Sequence, residues 1–140
     1  MGANMARRLM RAGHSTVAYD RSPEAVAALV ADRGLTEGSV STVPGAFKGH
    51  LHSATDAEAI AQRILEHAAH LIELRERTGI TIALAIEPEP ACFIETTDEA
   101  IEFFTRYLFD DAFVGAWSRV HGQSVGVDAV RRHIGLCFDA

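Results

Sequence analysis

The composition of the 140-residue chain indicates one small folded domain. It contains 13 Lys or Arg and 19 Asp or Glu residues, has a formal net charge of −6, and is 48% apolar. This composition can form a core and excludes a disordered chain, and no apolar run approaches the roughly 18 residues of a membrane span. The negative charge excludes a nucleic-acid groove, because phosphate binding needs clustered cations. Two isolated cysteines, Cys92 and Cys137, are typical of a reducing, cytoplasmic compartment.

Helical and extended patterns alternate along the sequence. Helices are predicted from apolar stripes at helical spacing and from caps, such as Ser22 before Pro23 or the capping box of Thr96 and Glu99. Strands are predicted from short apolar or alternating runs. In chain order, the predictions are a helix over 2–12, a strand over 15–19, a helix from 23 to about 34, a strand over 38–43, a helix over 56–78, a strand over 80–86, a helix after 96, an irregular excursion over 110–126, a helical turn over 127–132 and a strand over 134–138.

Strands separated by helices indicate parallel pairing through right-handed crossovers. The predicted class is therefore α/β, built from parallel βαβ units in sequential order. The chain begins within a predicted helix and ends just after a predicted strand, so we expect it to be truncated at both ends. Because open edge strands favour pairing between copies, we also expect self-association.

The first 33 residues carry three short matches to a known family. They are MGANMARRL at 1–9, AGH at 12–14 and YDRSPEAV at 19–26. Together they resemble the opening of 6-phosphogluconate and related 3-hydroxyacid dehydrogenases. The resemblance implies that Gly2 is the third glycine of a G-x-G-x-x-G turn, that Asp20 holds the adenosine ribose, and that Arg21 favours a 2′-phosphate. The first two glycines are missing from the sequence, so we expect no binding of NAD or NADP, and Asp20 is alternatively a plain strand-end acid.

Three further runs begin beyond residue 34. They are GSVSTVPGAFK at 38–48, LAIEPEPACFIET at 84–96 and RRHIGLCFDA at 131–140. Together they resemble the metabolite-traffic family called EboE, whose members are xylose-isomerase-like TIM barrels. The resemblance implies a partial, half TIM-barrel-like fold and a sugar-like substrate; a small open three-layer sheet is the alternative. The expected division is a partial Rossmann-like helix–strand–helix segment at 1–36 and the barrel segment at 37–140, which can pack as one domain.

Two carboxylates directly follow predicted buried strands. Glu87 and Asp139 should lie at one rim, because the carboxyl ends of parallel strands meet at the same edge of a sheet. Neighbouring carboxylates repel each other unless a cation lies between them, and oxygen ligands suit Mg²⁺ or Mn²⁺. We therefore predict Glu87 and Asp139 as metal ligands, and Glu87 and Glu89 as catalytic residues. Alternatively, Glu87 is a solvated acid on a rigid, proline-flanked loop, and Asp139 is exposed near the chain end.

These features lead to three hypotheses about function. The leading one is a truncated metal-dependent sugar isomerase or epimerase of the EboE type. Its activity is weak or absent, because the histidine expected soon after Asp139 is missing from the sequence. The second is a fragment of an NAD(P)-dependent 6-phosphogluconate dehydrogenase-like oxidoreductase. The third is a non-catalytic binding or assembly piece, and whether the chain is an enzyme stays open. Lys48, His67 and His70 are predicted to be solvated side chains.

Overall fold

The computed structural model describes residues 2–13, 22–51 and 53–138. Six α-helices and three β-strands lie within these residues: α1 Gly2–Arg11, α2 Pro23–Ala31, β1 Glu37–Thr42, α3 Ala54–Thr78, β2 Thr81–Ile86, α4 Thr97–Phe103, α5 Asp111–His121, α6 Val127–His133 and β3 Ile134–Leu136. A 3₁₀ turn spans Lys48–His50, and a π-helical segment, Phe104–Leu108, continues α4. The strand predicted over 15–19 lies outside the described residues. None of the described helices has the length and apolar character needed to cross a membrane.

The three strands form one parallel sheet in the order β1-β2-β3. β1 pairs with β2 along its whole length, from Glu37 opposite Thr81 to Thr42 opposite Ile86. β3 pairs only with the second half of β2, starting with Leu84 opposite Ile134. The predicted α/β class and sequential parallel order are therefore confirmed for the described strands. The sheet is open, and the three strands close no barrel.

The core lies on one face of the sheet. Ile82, Leu84 and Ile86 alternate along β2 and pack against the helices. One cluster joins α3 to the C-terminal helices and to β2 and β3, and a smaller one joins α2 to α3 and β2. The opposite face carries small residues, namely Ser39, Ser41, Ala83, Ala85 and Gly135. A β carbon added at Gly135 meets no atom within 4 Å in the described part of the chain. The helices α2, α3 and α6 therefore pack against the same face.

Capping residues define the ends of the helices. The Ser22 hydroxyl accepts a hydrogen bond from the Ala25 N–H at 3.3 Å at the start of α2. At the start of α4, Thr96 accepts from the Glu99 N–H at 3.3 Å and Glu99 accepts from the Thr96 N–H at 3.1 Å, which confirms the predicted capping box. α3 ends at Gly79, whose φ of 75° places it in the left-handed region that favours glycine.

The prediction of an irregular excursion over 110–126 was wrong. Most of this stretch is α5, which begins where the Asp110 carboxylate accepts a hydrogen bond from the Phe113 N–H at 2.7 Å. It ends at Gly122, with a φ of 62°. Val114 and Trp117 are three residues apart and both buried in the larger cluster. The caps and this spacing outweigh the glycine at position 115, which weakens a helix when judged from the sequence.

Polar contacts join α1 to the end of α2. Arg7 forms an ion pair with Asp32, and Arg33 Nη1 donates to the Met10 carbonyl at 3.0 Å. α2 reaches the sheet through Val26 and Ala27, which lie in the smaller cluster. This cluster contains residues from both sides of position 36, and the division of the chain there stays a prediction.

Candidate functional site

Glu87 lies where β2 ends, at the carboxyl edge of the sheet. Its Oε2 accepts a hydrogen bond from the Ser41 hydroxyl at 2.6 Å, and its N–H donates to the Thr42 carbonyl at 2.9 Å. The Cys137 N–H donates to the Ile86 carbonyl at 2.8 Å, so the chain leaving β3 runs beside the same edge. Glu87 is half-buried and fixed to the neighbouring strand. This edge is where ligands of open α/β sheets bind.

Glu89 lies on a loop that the backbone fixes in place. Its N–H donates to the Ile94 carbonyl at 3.1 Å, and its carbonyl accepts from the Cys92 N–H at 3.0 Å. The turn places Ala91 at a φ of 64°, in the left-handed region. A hydrogen bond of 2.8 Å from the Lys48 N–H to the Ala91 carbonyl holds the loop against the segment after β1. The half-buried side chain of Glu89 therefore extends from an ordered turn, two residues after Glu87.

Lys48 is exposed, as predicted, and it also forms ion pairs. Its Nζ lies 2.9 Å from Glu95 Oε2 and 2.6 Å from Glu99 Oε1. Hydrogen bonds to these carboxylates raise the pKa of Lys48. The same contacts lower the pKa of Glu95, and lower the pKa of Glu99 to about 2. With both acids ionised beside it, Lys48 holds the loop to the start of α4 and has little charge left to attract an anion.

His70 also has a partner, whereas His67 is solvated as predicted. His70 Nε2 lies 3.1 Å from Glu24 Oε1 and so links α3 to α2. The Glu24 pKa is lowered, first by its own backbone N–H and then by the Ser22 hydroxyl. The His67 side chain is exposed. Neither histidine lies in a group of three or more potential metal ligands within the described residues.

The predicted metal pair cannot be assembled from the described residues. Asp139 lies outside them, and the partner observed for Glu87 is the Ser41 hydroxyl, which donates a hydrogen bond to its carboxylate. No cluster of three or more His, Cys, Asp or Glu side chains occurs in 2–13, 22–51 or 53–138. The Ser41 contact was missed at the level of sequence, because it depends on the register that places Thr42 opposite Ile86.

Of the residues predicted to bind a dinucleotide, Gly2 is described and Asp20 and Arg21 are not. Gly2 is the first residue of α1, a helix of ten residues with no acidic residue in its first turn and with Arg8 and Arg11 in its last turn. The N–H groups and positive dipole end of such a helix favour a bound phosphate, and no carboxylate of the first turn opposes it. The start of α1 is thus compatible with the pyrophosphate of a dinucleotide.

Comparison with known proteins identifies the family. The family model described as the NAD binding domain of 6-phosphogluconate dehydrogenase matches residues 1–85 of the 140. The chain belongs to this NAD-binding domain family. The match extends from α1 through β1 and α3 into β2, well beyond the first 33 residues that carried the resemblance in sequence. No curated protein and no solved structure matches the chain.

Membership of the NAD-binding family corrects the leading hypothesis. The family match overlaps the segment that was assigned to the EboE resemblance, and nothing in the comparisons supports EboE. The description as a TIM-barrel, xylose-isomerase-like, metal-binding isomerase is therefore wrong. The physical reason is that acids after buried parallel strands occur at the carboxyl edge of any α/β sheet, dinucleotide-binding sheets included.

The family match also overturns the expectation that NAD or NADP does not bind. That expectation depended on the glycines missing before Gly2, which were given more weight than the rest of the segment. The matched family is one of NAD-binding domains. The matched residues include β1, the connecting helix α3 and all of β2 except its last residue, which a short glycine pattern does not capture.

Proposed function

We propose that the chain is the dinucleotide-binding part of an NAD(P)-dependent oxidoreductase of the 6-phosphogluconate dehydrogenase type. The observation that carries this proposal is the family match over residues 1–85. It is supported by the parallel β1–α3–β2 unit, since such units are the building blocks of dinucleotide-binding sheets. A bound nicotinamide supplies hydride acceptance or donation.

Three residues are proposed to contact the dinucleotide. The N–H groups at the start of α1, beginning at Gly2, bind the pyrophosphate. The Asp20 carboxylate accepts hydrogen bonds from the hydroxyls of the adenosine ribose. Arg21, next to it in sequence, pairs with a 2′-phosphate when one is present. Asp20 thus favours NAD and Arg21 favours NADP, and their relative strength sets the preference.

Glu87 and Glu89 remain candidates for contact with the substrate. In open α/β sheets the substrate lies outside the carboxyl ends of the strands, which is where Glu87 sits. A carboxylate there can take the proton of a hydroxyl that is being oxidised. Its hydrogen bond from Ser41 orients the Glu87 carboxylate for such a role. Glu89, on the ordered turn after it, is proposed to contact polar groups of the substrate.

Calorimetric titration of the 140-residue chain with NAD⁺ and with NADP⁺ tests the proposal. We expect a dissociation constant below about 100 μM for at least one of them, which corresponds to about −5.5 kcal/mol or better. Arg21→Gln should weaken the binding of NADP⁺ about tenfold, which corresponds to about 1.4 kcal/mol, and leave the binding of NAD⁺ unchanged. Asp20→Asn should weaken NAD⁺ more than NADP⁺.

The matched control is Arg119→Gln, which removes one positive charge from the exposed surface of α5, outside the matched residues. It should change neither titration. Absence of binding of both dinucleotides at millimolar concentration, with the chain folded by circular dichroism, contradicts the proposal. Equal weakening of NADP⁺ by Arg21→Gln and Arg119→Gln contradicts the role given to Arg21.

A further inference from the structure

A cavity lies between α3 and the sheet, toward the carboxyl ends of β1 and β2. Its volume is about 530 Å³, within the range of small-molecule sites in proteins. Half-buried Val40 and Leu84 on the sheet and Ile60 on α3 supply apolar surface. α2 lies over the other end of this face, where Val30 covers Gly38. The cavity thus occupies the part of the sheet face that α2 leaves open.

One guanidinium, that of Arg63 on α3, lines this cavity. Arg63 and His67 both line it, and their spacing of four residues places them side by side on the helix. Both side chains are exposed, and neither forms an ion pair with another residue of the described ranges. Asp56 is the only carboxylate among the described lining residues, and it accepts a hydrogen bond from the Ser53 N–H at 2.9 Å as part of the cap of α3.

The combination of surfaces defines the chemistry of a ligand. An apolar cavity lined by a guanidinium that has no ion-pair partner among the described residues favours a molecule that is both apolar and anionic. Apolar contact alone does not distinguish a neutral aliphatic ligand from a charged one. A carboxylate on the ligand adds selectivity, because it can accept two parallel hydrogen bonds from a guanidinium. A small anion without an apolar part makes only the second contact and remains well solvated.

We propose that this cavity binds a small amphipathic anion, an aliphatic chain that ends in a carboxylate. The chain lies against Val40, Leu84 and Ile60, which removes apolar surface from water. The carboxylate pairs with Arg63, and the His67 ring supplies a further N–H donor beside it. This site goes beyond the proposed dinucleotide site, which uses Gly2, Asp20 and Arg21.

Three probes separate the contributions in calorimetric titrations of the full chain. Decanoate carries both features, decanol only the chain, and acetate only the carboxylate. We expect decanoate to bind at least about tenfold more tightly than decanol, a difference of about 1.4 kcal/mol, and acetate to give no saturable binding. Decanoate is kept below its micelle concentration so that the free monomer is the ligand.

Two variants locate the site and one serves as the control. Arg63→Gln should reduce the affinity for decanoate to that for decanol and leave the affinity for decanol unchanged. Ala59→Trp adds a large side chain at an exposed position of α3 that lines the cavity. It should therefore weaken the binding of both decanoate and decanol. Arg119→Gln removes an equal charge from α5, away from the cavity, and should change neither titration.

Several outcomes overturn the proposal. Equal affinity for decanoate and decanol, or equal effects of Arg63→Gln and Arg119→Gln, means that Arg63 does not hold the carboxylate. Unchanged binding in a folded Ala59→Trp variant places the probe elsewhere.

Displacement of decanoate by NADP⁺ assigns the cavity to the dinucleotide. Conversion of a dimer to a monomer by Ala59→Trp assigns it to a second copy of the chain. Failure of dinucleotide binding alone leaves the decanoate result standing and bears only on the proposed function.

Discussion

The two ends of the chain are attached to the sheet in different ways. At the carboxyl end, α4, the π-helical segment and α5 bury aromatic side chains in the larger cluster, and α6 adds valines. Phe93 and Phe103 meet edge to face there at 5.1 Å. At the amino end, α2 contributes Val26 and Ala27 to the smaller cluster, and exposed polar contacts such as Arg7 with Asp32 join α1 to α2. Burial stabilises far more than exposed ion pairs do. Among the described residues, the carboxyl end is therefore the more stable scaffold, and the amino end is the weakly attached part.

This difference matters because the weakly attached end carries the residues proposed to hold the dinucleotide. A ligand that binds only the folded state stabilises whatever it contacts. Binding at Gly2, Asp20 and Arg21 is thus expected to stabilise the end whose described residues form the smaller buried cluster. The following predictions test the contrast, from the largest expected effect to the smallest.

Truncation in the larger cluster should have the largest effect. Leu108 is fully buried there, so Leu108→Ala should lower the free energy of unfolding by about 2–5 kcal/mol. The matched change at the amino end is Leu9→Ala on α1, where the side chain is 44% exposed and the loss should be below about 0.5 kcal/mol. Urea unfolding followed by circular dichroism gives both values. Equal losses would contradict the contrast between the two ends.

His133 should make the carboxyl end sensitive to acid. It is buried, and its Nδ1 donates to the Ile82 carbonyl at 2.8 Å. Burial lowers its pKa below 6.5, and the Arg75 and Arg132 guanidiniums add to this. Because the unfolded chain takes up the proton first, this contribution to stability is complete above pH 6.5 and is lost as the pH falls below it.

The variant His133→Leu should remove that pH dependence. It should also cost about 1–3 kcal/mol near neutral pH, because the Ile82 carbonyl loses a buried donor. The control is His50→Leu, since His50 is exposed on the 3₁₀ turn. Unfolding free energies measured at a series of pH values for the wild type and both variants show which histidine causes the pH dependence. The decisive window lies above pH 4.5, the ordinary value of the glutamates whose pKa is lowered, and below pH 6.5. A slope in that window that survives in His133→Leu would assign the acid sensitivity to another group.

Loss of the cap of α5 should have an intermediate effect. The Asp110 carboxylate accepts from the Phe113 N–H at 2.7 Å, and Asp110→Ala should cost about 1 kcal/mol. Asp111→Ala, one residue later and exposed, is the matched control and should cost less. Thermal melts of both variants provide the comparison, which fails if Asp111→Ala is the more damaging change.

The smallest effect is expected from the contact between α1 and α2. Arg7 and Asp32 are both partly exposed, so Arg7→Gln should change the unfolding free energy by less than about 1 kcal/mol. The effect should shrink further as salt is added, because screening weakens exposed pairs. A loss as large as that of Leu108→Ala would mean that the amino end is a full part of the cooperative core.

Much of the fold was predictable because it depends on local patterns. The Ser22 cap, the Thr96–Glu99 capping box and the buried runs before Glu87 each specify one element from a few adjacent residues. α5 was missed because its start depends on one carboxylate, Asp110, within a stretch interrupted by Gly115. A capping residue predicts a helix reliably only when the spacing of the apolar residues that follow it, here Val114 and Trp117, is considered together with it.

The candidate site was less predictable because its contacts join residues far apart in sequence. Ser41 and Glu87 meet only when β1 and β2 are in register, and Lys48 meets Glu99 only when the loop after β2 folds back. Acids after apolar strands suggested a metal, although the same pattern occurs wherever parallel strands end. The dehydrogenase resemblance was correct, and its weight was underestimated because it was judged on glycines alone.

The close approach of α2 to β1 at Gly38 has a mechanical consequence. A β carbon at this position would lie 2.7 Å from Val30 Cγ2, so the strand backbone is the surface on which the helix rests. Gly38 has no positive φ, and alanine is therefore acceptable to the backbone but not to the space above it. Any side chain there would meet the Val30 side chain and tend to push α2 away from β1. The close packing of α2 on β1 therefore depends on the absence of a single methyl group at position 38.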